Sequence, residues 1–307
     1  MKKLVLLICS ILSISSFAET GILFIAHGTM GGGHGDHHQM SCSNEHPSKW
    51  ESYILSTLAG MKNEIPKNFE VSFGMWESQC FDESIHRLET KLANQGSKLD
   101  HLVIFPLFIS SYSSVIEMQK YIFKKRSDRV LDIPNVRKTY FEGKITYMPA
   151  FDYDPHISMI LTNRFEQLIN MAQEKDFSVN KMELVLVMHG PVEDDANLEW
   201  IKMGERYNKD ITSVYPVAKS HIISLRDDAD QEVKDQMTKE FRKIVSNANE
   251  EGKIALILPL LISKNGIDAS IIERLNELEY IWSGESIFPD EKLKDAILHK
   301  LKFITLK

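Results

Sequence analysis

Residues 21–28 read Gly-Ile-Leu-Phe-Ile-Ala-His-Gly, and residues 183–190 read Glu-Leu-Val-Leu-Val-Met-His-Gly. Each stretch is a short apolar run that ends in His-Gly. The runs are continuous rather than alternating, which is typical of strands covered on both faces in a parallel sheet. A run of this form in each half of the chain indicates that one structural unit occurs twice.

A second pair of apolar runs supports the repeat. Pro106 lies in the run LVIFPLFIS and Pro259 in the run IALILPLLIS; they follow His27 and His189 by 79 and 70 residues. In both halves such runs alternate with longer amphipathic stretches, which is the pattern of α/β proteins. We therefore predict an α/β fold of two tandem units that face each other across a cleft, each a small, mainly parallel sheet flanked by helices.

Eight stretches have the apolar spacing and the length of amphipathic helices. They cover about residues 49–62, 82–94, 115–124, 155–175, 197–208, 231–249, 269–278 and 290–301. Asp152 and Asp154 precede Pro155 and are typical of a helix start. We predict that the first unit spans residues 19–176 and the second residues 181–307.

The N-terminal residues predict the compartment. Two lysines precede an apolar run at residues 4–12, and Ser16 and Ala18 place small side chains before a cleavage point after Ala18. This layout is typical of a secretory signal peptide over residues 1–18. A membrane anchor is the alternative, but the apolar run is shorter than the roughly 20 residues that span a bilayer. We expect a periplasmic or secreted protein with no stable membrane span after cleavage.

The composition excludes some partners. The 307-residue chain is 43% hydrophobic and 26% charged, which is ordinary for a globular protein. Its formal net charge is −7 and it has no long basic run, so the electrostatic pattern of a nucleic-acid-binding protein is missing. The mild acidity suits attraction of cations. A homo-oligomer is compatible with these features.

Cys42 and Cys80 are the cysteines that remain after cleavage. In an exported protein the two can form one disulfide. Alternatively, Cys42 is a metal ligand and Cys80 an inert buried thiol. Both interpretations stay open at this point.

His27 and His189 are the first candidates for chemistry. Each ends a predicted first strand, and ligands of open parallel sheets bind beyond the carboxyl ends of the strands. The glycine that follows each histidine allows a close backbone turn. A neutral imidazole binds borderline metals and accepts a proton near neutral pH. A single histidine at a strand end can simply bond to the next loop, but two at matched positions of a repeat favour a functional role, catalytic and metal-binding.

The first unit carries an insertion after its His-Gly. Residues 31–46 are rich in glycine and histidine and lack an apolar period, so we predict a loop. Four of the eleven histidines of the chain lie in this segment. Its imidazole, thiol and thioether groups suit copper, nickel, cobalt or zinc; the alternative is a polar loop without a ligand. The candidate ligands are His34, His37, His38, Met40, Cys42, Glu45 and His46.

A strand that ends in His-Gly, followed 70–80 residues later by strand-Pro-Leu, resembles the class II tetrapyrrole chelatases. The most similar group is the sirohydrochlorin cobaltochelatase and ferrochelatase (CbiX/SirB-like) family, in its exported two-unit form. The resemblance extends over nearly the whole chain except the signal segment and the insertion. Its further motifs are residues 106–111, 148–150, 188–191, Asn197 with Trp200, 225–229, and 259–263 with 266–267.

This resemblance implies a lyase-type metal chelatase that works without ATP. Such an enzyme inserts a divalent metal ion (cobalt, iron or nickel) into a tetrapyrrole such as sirohydrochlorin; the ion is a substrate or a bound ion. His27 and His189 match the active-site histidine of the family in each unit. Family enzymes usually carry a second histidine or a glutamate in the loop after Pro-Leu. This chain has Tyr112 there and Glu117 nearby, and Asp268 follows in the second unit; we predict that Tyr112 and Glu117 complete the catalytic set.

Two other functions compete with this one. The first is a non-catalytic metal- or haem-binding protein that keeps the fold without the second ligand. The second is an exported hydrolase, because His-Gly after a strand also occurs in phosphatase-like sites; no Gly-x-Ser-x-Gly or Walker-type motif supports it. The run Arg226-Asp227-Asp228 after a strand either lines the cleft or forms a salt-bridged loop.

Overall fold

The computed structural model describes residues 17–28, 42, 47–262 and 267–302. The first half contains β1 (Phe17–Ala26), α1 (Lys49–Gly60), β2 (Phe69–Phe73), α2 (Ser78–Ala93), β3 (Ser97–Pro106), α3 (Ser114–Ile122), β4 (Lys144–Tyr147) and α4 (Pro155–Gln173). The second half contains β5 (Met182–Met188), α5 (Asp194–Val214), β6 (Lys219–Ser224), α6 (Gln231–Glu250), β7 (Ile254–Leu260), α7 (Ile267–Arg274), β8 (Tyr280–Ile281) and α8 (Leu293–Leu301). Every predicted helix is present.

The two halves have the same sheet topology. The first sheet has the order β2-β1-β3-β4 and the second the order β6-β5-β7-β8, and all strand pairs are parallel. Ile25 lies opposite Pro106 in the first sheet, and Val187 lies opposite Pro259 in the second. This match in strand register does not involve His27 or His189. It therefore supports the predicted repeat independently of the His-Gly motifs.

Both central strands are covered on two faces, as the continuous apolar runs predict. In β1, Ile22 and Phe24 face a core that also contains Leu184 of β5, whereas Leu23 faces a separate core with α2 and α3. In β5, Val185 faces a third core with α6 and α7. The shared core includes residues of α1, α4, α5 and α8. The two units are therefore joined by continuous apolar packing.

Helix α4 contributes to this junction. It packs against β7 and β8 and against α5 and α8, all in the second half of the chain. The predicted division at residues 176–181 falls between α4 and β5, and the unit boundaries stay a prediction. Among the described residues, no helix combines the length and the apolar character needed to cross a bilayer.

Cys42 and Cys80 form a disulfide, with their Cα atoms 4.8 Å apart. The bond attaches the glycine- and histidine-rich insertion to the first turn of α2. A disulfide sulfur lacks the thiolate that binds a metal ion. The prediction of Cys42 as a metal ligand is therefore wrong for this oxidised form, and the disulfide alternative is the one that the structure has.

Candidate functional site

His27 and His189 occupy matched positions, because each follows its central strand at the carboxyl end. The Nδ1 atom of His27 donates to the carbonyl oxygen of Gly28 at 2.6 Å, and Nδ1 of His189 donates to that of Gly190 at 2.7 Å. With the proton held on Nδ1, the lone pair of a neutral imidazole is on Nε2. Both rings therefore present Nε2 as a metal ligand or proton acceptor.

The pKa of His27 is influenced by three charged or chargeable side chains, those of His189, Glu77 and Asp228. Burial lowers the pKa of His27 below the ordinary value of 6.5, and the hydrogen bond to Gly28 opposes that shift. A positive charge on His189 lowers the pKa of His27 further, whereas the carboxylates of Glu77 and Asp228 raise it. The two histidines are thus close enough to interact electrostatically across the unit boundary. We call His27, His189, Glu77 and Asp228 the paired-histidine site.

Glu77 and Asp228 occupy equivalent places that the sequence analysis missed. Each lies four residues beyond the last residue of the strand beside the central one, Phe73 in β2 and Ser224 in β6. Aligning the two halves on their second strands would have revealed this pair of carboxylates. Both act on His27, so the repeat supplies an imidazole and a carboxylate from each unit.

The two carboxylates differ in orientation. Glu77 turns back into its own loop, where Oε2 accepts hydrogen bonds from the backbone N–H groups of Met75 at 2.7 Å and Trp76 at 3.0 Å. Asp228 is 73% exposed, and its Oδ2 lies 3.4 Å from Nε2 of His189. A lone pair and a carboxylate attract each other only through a proton or a cation between them. This unit therefore has the geometry for holding a positively charged species.

The loop that carries His189 is rigidly supported. Gly190 has a φ of +73°, and a Cβ atom there would lie 1.8 Å from Oγ of Ser224. Arg226 donates its backbone N–H to the carbonyl oxygen of His189 at 2.7 Å, and its side chain pairs with Asp194 at 2.7 Å. The guanidinium also donates to the carbonyl oxygens of residues 191 and 192. Of the Arg226-Asp227-Asp228 run, only Asp228 lines the site.

Two tryptophans fix the surrounding backbone. Nε1 of Trp50, at the start of α1, donates to the carbonyl oxygen of His27 at 2.7 Å. Nε1 of Trp200, in the second turn of α5, donates to the carbonyl oxygen of Tyr112 at 2.7 Å. The second bond crosses from one half of the chain to the other, so it brings the loop after β3 beside α5 of the second unit.

The predicted catalytic roles of Tyr112 and Glu117 have different outcomes. Tyr112 is 47% exposed beside α5, and its role stays a prediction. Glu117 pairs with Lys120 at 2.6 Å and with Arg126 at 2.7 Å. Burial is the largest influence on Glu117 and raises its pKa, but the hydrogen bonds from Lys120 and Arg126 outweigh it, so the pKa is lowered. A carboxylate with two cationic partners is a poor base, which argues against the role predicted for Glu117.

The remaining predicted ligands cannot be placed. The segment after Gly28 begins at this edge of the first sheet, but His34, His37, His38 and His46 lie outside the described residues. Their role as metal ligands stays a prediction.

No protein-family model matches the sequence, and no curated protein is significantly similar to it. Two solved structures share its fold. SirB from Bacillus subtilis, solved with Fe3+, superposes with a TM-score of 0.56 at 16% identity, covering 92% of this chain and 94% of SirB. CbiX, described as the terminal enzyme for biosynthesis of siroheme in denitrifying bacteria, superposes with a TM-score of 0.54 at 12% identity, covering 92% and 99%. The chain therefore has the fold of these chelatases, as its motifs predict.

Proposed function

We propose that this protein is a chelatase-like enzyme that inserts a divalent metal ion into a tetrapyrrole without ATP. The observation that carries the proposal is the matched pair of imidazoles, His27 and His189, each with Nδ1 bonded to the carbonyl oxygen of the following glycine, so that Nε2 carries the lone pair of the neutral ring. Neutral imidazole suits cobalt, iron and nickel. The lowered pKa of His27 keeps its imidazole neutral, and therefore able to bind metal, at neutral pH.

The reaction exchanges two pyrrole N–H protons for one divalent ion. Nε2 of each histidine holds the incoming ion; once the ion passes to the macrocycle, the vacated Nε2 of His189 accepts one displaced proton and the carboxylate of Asp228 the other. Asp228 suits this role because it is exposed and lies 3.4 Å from His189. Proton transfer by a positioned side chain contributes typically 10²–10⁴-fold to a rate.

A flat macrocycle also needs an apolar surface. Large apolar side chains are exposed on the segments that follow β3 and β5: Tyr112 at 47%, Val192 at 42% and, in α5, Leu198 at 57%. Tyr112 lies against α5, the helix that carries Leu198. These side chains support binding of a tetrapyrrole such as sirohydrochlorin, whose ring would cover them.

Export is part of the proposal. The signal-like residues 1–18 support it, and so does the Cys42–Cys80 disulfide, because disulfides persist in oxidising compartments. Strand β1 includes Phe17 and Ala18, and its pairing with β3 shifts register between Glu19 and Thr20. Cleavage after Ala18 therefore leaves the regular part of β1 intact. Mass spectrometry of the exported protein should find a chain that begins at Glu19.

A direct assay tests the enzymatic function. Purified mature protein is mixed with sirohydrochlorin and with cobalt, iron(II) or nickel, and the absorbance change is followed. We expect His27→Ala and His189→Ala to lower the insertion rate by about 10²-fold or more, with a much smaller change in macrocycle binding. His86→Ala, which removes an exposed histidine of α2, is the matched control.

One observation favours a second candidate, a non-catalytic metal- or haem-binding protein. The loop after β3 has no histidine, and Glu117 is held by Lys120 and Arg126. If the protein only binds its ligand, wild type, His27→Ala and His189→Ala should bind the tetrapyrrole equally, and none should insert metal above the uncatalysed rate. If the enzyme lacks only this second imidazole, Tyr112→His raises the insertion rate.

A further inference from the structure

Asp154, His156 and His299 form a second cluster of metal-ligating side chains, outside the paired-histidine site. One ligand atom of each residue lies within 4.8 Å of the other two. Nδ1 of His156 is 3.2 Å from Oδ1 of Asp154, and Nδ1 of His299 is 2.8 Å from Oδ2. The two imidazoles therefore approach different oxygens of one carboxylate.

The cluster joins the two halves of the chain. Asp154 caps the N-terminus of α4, where Oδ1 accepts a hydrogen bond from the backbone N–H of His156 at 2.8 Å. His299 comes from the last turn of α8. The residues adjacent in space are thus 145 positions apart in sequence, and any ion bound among them connects α4 to α8.

The equivalent aspartate in the second half of the chain has a different kind of partner. Asp290 is the counterpart of Asp154: its Oδ1 accepts from the N–H of Lys292 at 2.9 Å, as that of Asp154 accepts from His156. A permanent cation, Arg164 of α4, lies 3.4 Å from Asp290. At Asp154 that place is taken by the imidazoles of His156 and His299, side chains of a kind that commonly binds metal ions.

A cation close to Asp154 would stabilise its carboxylate. Its side chain is fully buried, and a buried carboxylate is stable only when it is paired or bound to a metal. His156 and His299 remain 31% and 34% exposed, so solvent reaches the nitrogen side of the cluster.

An ion can enter from an open cavity of about 520 Å³ that His156 lines together with Ile22, Asp295 and Lys302. Ile22 precedes His27 by five residues on β1, which is about 16 Å along a strand. None of His27, His189, Glu77 and Asp228 lines this cavity.

We propose that Asp154, His156 and His299 bind a divalent first-row metal ion, of the zinc or nickel type, that fastens α4 to α8. Two imidazole nitrogens and one carboxylate oxygen are a ligand set of three-ligand zinc sites, which leave further positions for water. Bonds of about 2.1 Å in a tetrahedral site place ligand atoms about 3.4 Å apart, so small side-chain movements suffice. The ion takes the place of the hydrogen-bonding protons between Asp154 and the two Nδ1 atoms, and each ring then carries its proton on Nε2.

Titration of the full mature protein with zinc and with nickel tests this site. Binding is followed by calorimetry, and the rise in melting temperature is recorded in parallel. We expect His156→Gln and His299→Gln each to bind one equivalent fewer than wild type, or to weaken one equivalent at least about 100-fold, since outer-shell changes alone cost 10–100-fold. His86→Gln is the control for an exposed histidine, and it should keep the wild-type stoichiometry.

His299→Arg separates a metal site from a simple ion pair. This variant copies the arrangement of Arg164 with Asp290, so it should keep the melting temperature of the metal-free protein while still losing the equivalent of metal. Equal stoichiometry and affinity in wild type, His156→Gln, His299→Gln and His299→Arg would overturn the proposal. Metal bound at the paired-histidine site or at the insertion does not depend on these residues, so loss of that binding leaves this test unaffected.

Discussion

Oδ2 of Asp228 lies 3.4 Å from Nε2 of His189, on the side of the imidazole away from the Nδ1 atom that donates to Gly190. The ring is thereby held between a carbonyl oxygen and a carboxylate. A proton or a metal ion between Nε2 of His189 and the carboxylate of Asp228 satisfies both groups. The pair is therefore suited to exchange a proton for a metal ion.

Asp228→Asn tests this pair. Removing the negative charge while keeping the shape should weaken cobalt or nickel binding at the paired-histidine site by about tenfold or more, the range found when groups that support metal ligands are changed. Asp195→Asn, an exposed aspartate in the first turn of α5, removes the same charge and should leave the affinity unchanged. Calorimetry in the His299→Gln background isolates the paired-histidine site. Equal affinities in the two asparagine variants would contradict the assigned role.

The pKa of His27 gives a prediction on pH dependence. Burial lowers that pKa below 6.5, so the folded protein binds fewer protons than the unfolded chain as the pH falls past 6.5. The free energy of unfolding should therefore decrease from pH 7 toward pH 5 more steeply in wild type than in His27→Asn. Denaturant unfolding across this range measures the difference, and identical slopes would refute it.

Asp228 raises the pKa of His27, so the same histidine reports on its neighbour. In Asp228→Asn, the titration midpoint of His27 observed by NMR should move to a still lower pH. The Asp195→Asn control should leave the midpoint in place. An unchanged or raised midpoint in Asp228→Asn would contradict the electrostatic effect of Asp228 on His27.

Gly190 is the position where an added methyl group should do the most harm. Gly190→Ala places a Cβ atom at φ +73° and within 1.8 Å of Oγ of Ser224. We expect a loss of at least about 2 kcal/mol in the free energy of unfolding, combining backbone strain with overpacking. Gly252→Ala is a matched control, because its φ is +66° and nothing lies within 4 Å of the new atom; it should lose only about 1 kcal/mol.

Ser224→Gly provides the rescue. It removes the Ser224 atoms that a methyl group on Gly190 would meet and leaves Cγ of Arg226 at 3.2 Å, so the double variant should recover part of the lost stability. If Gly190→Ala costs no more than Gly252→Ala, the close contact with Ser224 does not constrain the loop.

The Cys42–Cys80 disulfide closes a loop with a sequence separation of 38 residues. Loop-closure entropy predicts that Cys42→Ser combined with Cys80→Ser lowers the free energy of unfolding by about 3–4 kcal/mol. Chemical denaturation with and without a reducing agent measures the effect. Reducing agent should destabilise wild type by the same amount and leave the double variant unchanged; a wild type that is insensitive to reduction would contradict the prediction.

The site was only partly predictable from the sequence. His27 and His189 could be found because each ends an apolar run and the run occurs twice. The ion pair of Glu117 with Arg126 could not be predicted from the sequence, because Arg126 lies nine residues away, beyond the end of α3. Asp228 was left undecided between a cleft residue and a salt bridge, and adjacent Asp227 in fact pairs with Arg274.

The sequence by itself determined the repeat, the parallel α/β architecture, the helices and the places of the two histidines. The spacing of apolar residues and the His-Gly motif at the end of each run are local features of the sequence, so they can be recognised without the structure. Only the tertiary structure decided which charged groups meet. Asp227 and Asp228 are neighbours on the chain, yet one pairs with Arg274 and the other faces His189. Asp154 reaches His299 across 145 residues. Such contacts depend on how helices from both halves pack over one shared core, and no short window of sequence contains that packing.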